Sequence, residues 1–557
     1  MSFGPTLFGN GGPEHRTLYY GDCLDWMSQW DSRTVDLIYL DPPFNSSAGY
    51  NVLFTDRGAG KAQYRAFDDT WHWTDKAEAR MGVYEGAGGR PAAAAIRGLY
   101  QILGRSGMMA YVTYMAERLE QMKRLLKPTG SIFLHCDPTV NGYLRVVMDA
   151  IFGAESFRNE IVWCYRGMTP KSNRFNAKHD TLLYYANREA RFNRQKGSPT
   201  PGSLKTYRSA QKRGYNANHA RNMVVVFDRQ KYEAAVEQGV IPAGMRETEF
   251  DGGAPWLTDW WADIKILGGP KNRERLGYPT QKPRALLERI IKAASDEGDL
   301  VLDPFCGCGT AIDAANRLKR RWAGIDISSF AIDLIRDRRM ADHDINVKGM
   351  PFELRGAEKL AKEKPFQFES WAIMRMPGFV PNTDQVADGG VDGRATLATK
   401  PTDHESRRAL AQVKSGKFSL SQLRDFLHVT DAHKAALGVY VTLHPVTSQN
   451  AKIAAYGPGT VTVGAEQYPR CQLWSIADYF DDRRPNLPTM TDPYTGKPLT
   501  QQELFASKAF RKPGEGFMPL SDGGKVDLWE LQEAIDRLDE GKGKRVDLNA
   551  LREHFED

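Results

Sequence analysis

The chain has 557 residues, 41% hydrophobic and 26% charged, too many for one ordinary core, so a globular α/β protein of two or three domains is expected. No apolar run approaches the ~18 residues needed to cross a bilayer, and the opening MSFGPTLFGNGGPEH lacks the basic-then-apolar form of a secretion signal, so no membrane association and a cytoplasmic location are expected. Net charge is only +6, and the six cysteines (Cys23, Cys136, Cys164, Cys306, Cys308, Cys471) form no CxxC pair, which argues against structural zinc and a disulfide framework.

The first informative stretch is LIYLDPPFNSS, residues 37 to 47. Val35 to Leu40 is mostly apolar, with β-branched and aromatic members, and suits a strand covered on both faces of a parallel sheet. Asp41 then falls at the carboxyl end, where open α/β sheets bind ligands. Pro42 and Pro43 remove two backbone donors and leave free carbonyls, and Phe44 adds a flat apolar face. A carboxylate, an acceptor carbonyl and a ring within four residues suit a planar group bearing an NH2, such as the exocyclic amine of a flipped-out base. On these four residues alone, a strand followed by a proline turn fits equally well.

From Arg188 to Phe250 there are 12 Lys or Arg against 6 Asp or Glu, so 12 − 6 = +6, the excess of the whole chain. Phe192, Tyr207, Tyr215, Phe227 and Tyr232 lie among them, a mixture suited to phosphates and exposed bases, although a solvated polar insertion has the same composition. Beyond it, GDLVLDPFCGCGTAIDAANRLKRRWAGIDIS (298 to 328) reads as a strand at Leu300 to Leu302, a glycine turn, a helix from Thr310 to Leu318 and a strand from Trp322 to Ile327. Gly307 and Gly309 let a ligand approach the backbone, and Asp326 can accept from ribose hydroxyls. The pattern is neither GxGxxG nor GxxxxGK[ST], which points to a nucleoside cofactor without phosphates.

Together these motifs resemble an amino-methylating DNA methyltransferase of the β arrangement, in which the catalytic half precedes the S-adenosylmethionine half. DPPF (41 to 44) resembles the catalytic motif, DPFCGCGT (303 to 310) the cofactor loop, and YPTQKPRALLERIIKAAS (278 to 295) the segment closing over the cofactor. LKPTGSIFLHCD, LRVVMDAIFG and FRNEIVWCYR resemble the catalytic half of type III modification subunits. The resemblance implies a catalytic motif of Asp41, Pro42, Pro43 and Phe44, in which Asp41, with the Pro42 carbonyl, accepts from the target amine and Phe44 stacks on the base. It further implies that Asp22 lies near the adenine, that Asp303, Phe305, Gly307 and Gly309 line the cofactor, and that Asp326 holds its ribose. Thr280, Gln281 and Lys282 become lid residues, with a helix N-cap by Thr280 an equally good local explanation. The motif's leading Asp favours adenine N6, and cytosine N4 stays an alternative. DWWADIKIL (259 to 267) is expected to support the return to the catalytic domain rather than to touch DNA.

After Arg355 the pattern changes. AEKLAKEKP reads as a charged helix or linker, and residues 366 to 482 resemble the Mrr-like branch of the restriction endonucleases: Asp392, Gln412 and Lys414 as the core, Glu369 as a helical contributor, and Mg²⁺ on Asp392 and Gln412. AALGVYVTLHPVT and YPRCQLWSIADYF fit its later strands and helix. The expected layout is therefore a Rossmann-like S-adenosylmethionine-dependent methyltransferase with a catalytic half (1–187), an inserted target-recognition region (188–275) and a cofactor half (276–355). A C-terminal α/β restriction-endonuclease-like domain (366–482) and a tail helical at VDLWELQEAIDRLDE (483–557) complete it. The implied partner is double-stranded DNA in restriction–modification or phage defence; the resemblance also allows a homodimer and a restriction or defence partner. A DNA-binding module with a non-cleaving nuclease-like domain is the alternative from another class.

Overall fold

The computed structural model describes residues 11–43, 71–86, 89–165, 175–197, 201–248, 256–267, 280–382 and 390–491, with short pieces between and after them. The chain divides into two compact units, the first comprising 1–51, 67–340 and 345–348 and the second 52–66, 341–344 and 349–557.

In chain order the elements up to residue 348 begin with β1 (Thr17–Tyr20), α1 (Cys23–Met27), β2 (Val35–Leu40), the two-residue strands β3 (Asn51–Val52) and β4 (Tyr64–Arg65), α2 (Asp75–Gly86), α3 (Ala93–Leu103) and α4 (Gly107–Leu125). Next come β5 (Leu126–Cys136), α5 (Asn141–Phe152), β6 (Phe157–Cys164), β7 (His179–Ala186), α6 (Pro201–Arg213), β8 (Tyr215–Asn218), β9 (Met223–Val226), α7 (Arg229–Glu237), β10 (Arg246–Glu247) and β11 (Trp260–Trp261). The series closes with α8 (Arg284–Ala294), β12 (Leu300–Asp303), α9 (Thr310–Arg317), β13 (Arg321–Asp326), α10 (Ser329–Leu334) and β14 (Asn346–Lys348).

One nine-stranded sheet of the first unit runs in the order β11-β6-β7-β5-β2-β12-β13-β1-β14. Its centre is parallel, β2 lying between β5 and β12, while β7 is antiparallel to both β5 and β6. Leu37, Ile38, Tyr39 and Leu40 are all buried, as a strand covered on both faces requires. Helix α4 shows the matching periodicity, burying Met109, Val112, Met115, Ala116, Leu119 and Met122 at three- and four-residue spacing. The Ser106 hydroxyl starts it by accepting from the Met109 N–H at 3.2 Å.

Helices α6 and α7 with the small sheet β10-β9-β8 form the inserted region. All twelve Lys and Arg side chains of 188–250 are exposed. Tyr215 and Tyr232 depart from expectation: they are buried with Val224, Ala235, Ile241 and Met245 in a small core, so they support this region instead of offering stacking faces. DWWADIKIL is split: Trp261 is buried and pairs beside Trp163, whereas Trp260 is exposed.

In the second unit, α11 (Leu354–Glu363), α12 (Pro365–Ile373), β15 (Val380–Pro381), β16 (Gly393–Thr396), β17 (Arg408–Lys414), α13 (Leu420–Ala432), β18 (Leu437–Thr442), α14 (Gln449–Tyr456), β19 (Thr460–Val463), β20 (Glu466–Pro469), β21 (Cys471–Ser475) and α15 (Ile476–Phe480) succeed one another. The sheet order is β15-β16-β17-β18-β21, with β17, β18 and β21 parallel and β16 antiparallel to β17. AEKLAKEKP is helical, with Ala357, Leu360 and Ala361 buried. Further on, β22 (Phe517–Pro519) and β23 (Lys525–Asp527) form an antiparallel pair. Val526 and Asp527, the first residues of the expected tail helix, therefore lie in a strand, and the rest of that segment is outside the described residues.

Candidate active site

Four neighbouring strands of the large sheet carry an Asp at or just past their carboxyl end. Asp41 follows β2, Asp303 closes β12, Asp326 closes β13, and Asp22 stands two residues beyond β1, in the sheet order β2-β12-β13-β1. All four line one cavity, whose empty volume is about 1080 Å³ with its open mouth included, ample for a nucleoside-sized ligand. Pro42, Pro43, Phe305 and Gly307 line it too, and Thr280, Gln281 and Lys282 reach it from the segment before α8. Gly309 is not among the lining residues; it sits at the N-cap of α9 with φ +76°, in the left-handed region that favours glycine. Phe44 lies outside the described residues.

The carboxylates differ in what holds them. Asp326 is buried and accepts from the backbone N–H groups of Gly307 and Ser328, each at 2.8 Å. Burial pushes its carboxyl up to about 6, against those two bonds. Asp303 accepts from the Phe305 N–H at 3.1 Å, and burial, with the charges of Asp41 and Asp326, drives it well above the usual carboxylate range. Asp22 accepts from the Leu24 N–H at 2.9 Å as the N-cap of α1 and from Arg118 Nη2 at 2.7 Å. Both oxygens of Asp41 accept from Lys282 Nζ, at 2.9 and 2.7 Å.

Behind Asp41 runs a buried chain that sequence reasoning missed. The Tyr39 hydroxyl meets His135 Nδ1 at 3.0 Å, His135 Nε2 meets Asp180 at 3.1 Å, and the Tyr165 hydroxyl donates to Asp180 at 3.0 Å. Burial opposes ionisation of Asp180, yet the bond and charge of His135, with Lys282 and Tyr165, hold its carboxyl below the usual value. Burial, then the charges of Asp41, Asp303 and Asp180, pushes the Tyr39 phenol well up. Tyr39, Cys23, Tyr114 and Tyr278 also line the cavity; the one available signal for Tyr39 was its place two residues before Asp41.

Thr280 does not cap α8. Pro283 occupies the N-cap, and the orphan Arg284 N–H is taken instead by the Glu274 carboxylate at 2.6 Å. Gln281 is tied to its own loop, accepting from the Leu276 N–H at 2.8 Å and donating to the Glu274 carbonyl at 2.6 Å.

A family model described as DNA methylase matches residues 35–337, more than half of the chain. The chain belongs to the DNA methylase family. Type II methyltransferase M.EcaI of Enterobacter cloacae is 25% identical over 342 residues, 55% of this chain and 65% of that protein. Type II methyltransferase M.HpaI of Haemophilus parainfluenzae is 25% identical over 319 residues, 56% and 85% of the two. The Mod subunit of the type III restriction-modification enzyme StyLTI of Salmonella typhimurium is 26% identical over 355 residues, 56% and 51% of the two. The methylase thus spans less than two thirds of the first and third of these relatives.

A second family model, described as restriction endonuclease, matches residues 360–464 of the methylase's other unit. There the Asp392 carboxylate accepts from the Val413 N–H at 2.7 Å, and its own N–H donates to the Ala411 carbonyl, so it lies beside Gln412 on β17. Gln412 is 7% exposed; its Nε2 donates to the Gly390 carbonyl at 2.7 Å, while its Oε1 is buried with no hydrogen-bond partner among the described residues. Lys414, two residues on, shares the Gln412 face. Glu369 is on α12, whose Ile373 covers Gly393. Gly393 pairs with Ala411, which alternation places on the face opposite Gln412. Among the described residues no group of three or more His, Cys, Asp or Glu is arranged to hold a metal ion. A buried amide oxygen in want of a partner beside a carboxylate is nonetheless a donor pair suited to a hard cation.

Proposed function

We propose that the chain is a site-specific DNA methyltransferase that moves a methyl group from S-adenosylmethionine to the N6 amine of a flipped-out adenine in double-stranded DNA, with a DNA-cleaving domain fused behind it. The observation that carries the reading is the convergence of four Asp-tipped strands on one cavity, with Asp41 of the DPPF motif and Asp303 of the DPFCGCGT loop on adjacent strands. Four acidic side chains around one cavity suit a cationic sulfonium.

S-adenosylmethionine, when bound, supplies an electrophilic methyl group. Asp326 would accept from its ribose, the Gly307 turn would admit its backbone-facing edge, and Phe305 and the exposed Ile327 would offer apolar walls. Asp41 would accept an N–H of the target amine, with the Pro42 carbonyl as a second acceptor, localising the nitrogen lone pair for in-line attack. Phe44 would stack on the base. The exposed basic residues of 188–250 would meet phosphates during recognition. In the second unit, Asp392 and Gln412 would hold Mg²⁺, and Lys414 would steady a hydroxide directed at phosphate.

The test is incubation of the purified protein with S-adenosylmethionine and unmethylated genomic DNA, followed by mass spectrometry of the nucleosides. The expected product is N6-methyladenine, absent with Asp41→Ala. N4-methylcytosine would overturn the choice of adenine, and no methylated base would overturn methyl transfer.

A further inference from the structure

We propose that Lys282 is the positioning residue for Asp41, holding its carboxylate in one orientation so that an amine entering the cavity meets an acceptor already aimed. The inference rests on the methyl-transfer reading and adds a role to a residue that the sequence places only in a cofactor lid. Lys282 Nζ binds both Asp41 oxygens, and the two side chains are 12% and 16% exposed. Such a bridge between part-buried groups restrains the carboxylate more than an exposed pair would.

The lysine is itself well anchored. Gln281 ties the segment back to Leu276 and Glu274, and the Glu274 carboxylate binds the first N–H of α8, so the loop bearing Lys282 is fastened to the helix behind it. Asp22, Asp41, Asp303 and Asp326 supply four acidic side chains to the cavity lining, and Lys282 is its one basic side chain among the described residues. The fixed charge of Asp180, bound by His135 and Tyr165, also bears on Lys282. An ionised carboxylate has about four lone-pair sites. Two bonds from one ammonium therefore fix its rotation and leave acceptor capacity for the amine. The ammonium offers the N–H donors that an amine offers, so a site built to hold one accepts the other.

The experiment compares wild type, Lys282→Met and Lys282→Arg in single-turnover methyl transfer at saturating DNA and S-adenosylmethionine, with cofactor Kd by calorimetry and Tm alongside. Lys282→Met should slow the methyl-transfer step by about 100-fold, the scale of a small misplacement of a reacting group, while cofactor Kd stays unchanged. Lys282→Arg, which keeps two N–H bonds to the carboxylate, should recover part of the rate. Should the Met variant prove unstable, the Arg variant decides: a weakened cofactor Kd with a normal saturated rate overturns the proposal in favour of a cofactor-lid role. Variants as fast as an active wild type overturn it alone. An inactive wild type removes the methyl-transfer reading beneath it.

Discussion

Replacing Asp22 with Ala separates a structural from a ligand-binding role for the carboxylate after β1. Its partner Arg118, on α4, is 1% exposed; besides Asp22 it donates to the Tyr114 carbonyl at 3.0 Å, and its guanidinium lies 3.3 Å from the centre of the Tyr114 ring. Loss of the α1 N-cap should cost about 1 kcal/mol. Stranding a buried guanidinium typically costs ~3–5 kcal/mol; Asp22 is 34% exposed at the cavity, so water reaches Arg118 from that side and the lower end applies. The sum, about 4 kcal/mol, divided by an unfolding entropy of roughly 0.7 kcal/mol/K for a unit of about 330 residues, lowers Tm by about 6 °C. Asp22→Asn keeps the cap and should lose roughly 1 kcal/mol less. Scanning calorimetry of Asp22→Ala, Arg118→Met and the double variant closes the cycle, with a coupling of at least about 2 kcal/mol expected. Additive single effects, or an unchanged Tm with weakened cofactor binding, would refute the reasoning.

Asp326, pushed up to about 6 by burial, is a stronger acceptor once ionised, so cofactor affinity should rise over roughly pH 5 to 7; calorimetric titrations giving a flat profile would reject its ribose role. The sign for the free protein is opposite: a raised carboxyl contributes stability below its ordinary 3.8 and loses it as pH climbs through about 6. Gly309→Ala should cost ~2–4 kcal/mol, combining left-handed strain with overpacking, because the new Cβ would stand 2.7 Å from Ile335 Cγ1; an unaltered Tm contradicts this. Removing divalent cations with chelator, or introducing Asp392→Ala or Lys414→Ala, should abolish cleavage of DNA and spare methylation, and cleavage that survives these changes removes the nuclease assignment.

Much of the architecture was legible because it is local. The apolar run from Val35 to Leu40 became β2 with Asp41 at its end, and the strand–turn–helix–strand of 298 to 328 became β12, α9 and β13. A run of apolar residues closed by a proline or glycine turn dictates both a buried strand and the place where its chain leaves the sheet. The aromatic residues of 188–250 were harder. Tyr215 and Tyr232 sit in a basic, polar stretch whose composition suits a nucleic-acid face, and only the closing of α7 over β8 and β9 buries them. Thr280 shows the same limit at smaller scale, since its suitability as a cap counted for nothing once Glu274 reached the Arg284 N–H.

The residue types at the cavity, then, were determined by the sequence alone: four acidic residues at or just past strand ends, a glycine in the loop and a lysine in the segment before α8. Which charge faces which was decided only by the tertiary structure. Lys282 and Asp41 are 241 residues apart, and Arg118 meets Asp22 across 96. Strand ends follow from periodicity over a few neighbouring residues, whereas an ion pair depends on how distant elements are brought together, and no local pattern encodes that distance.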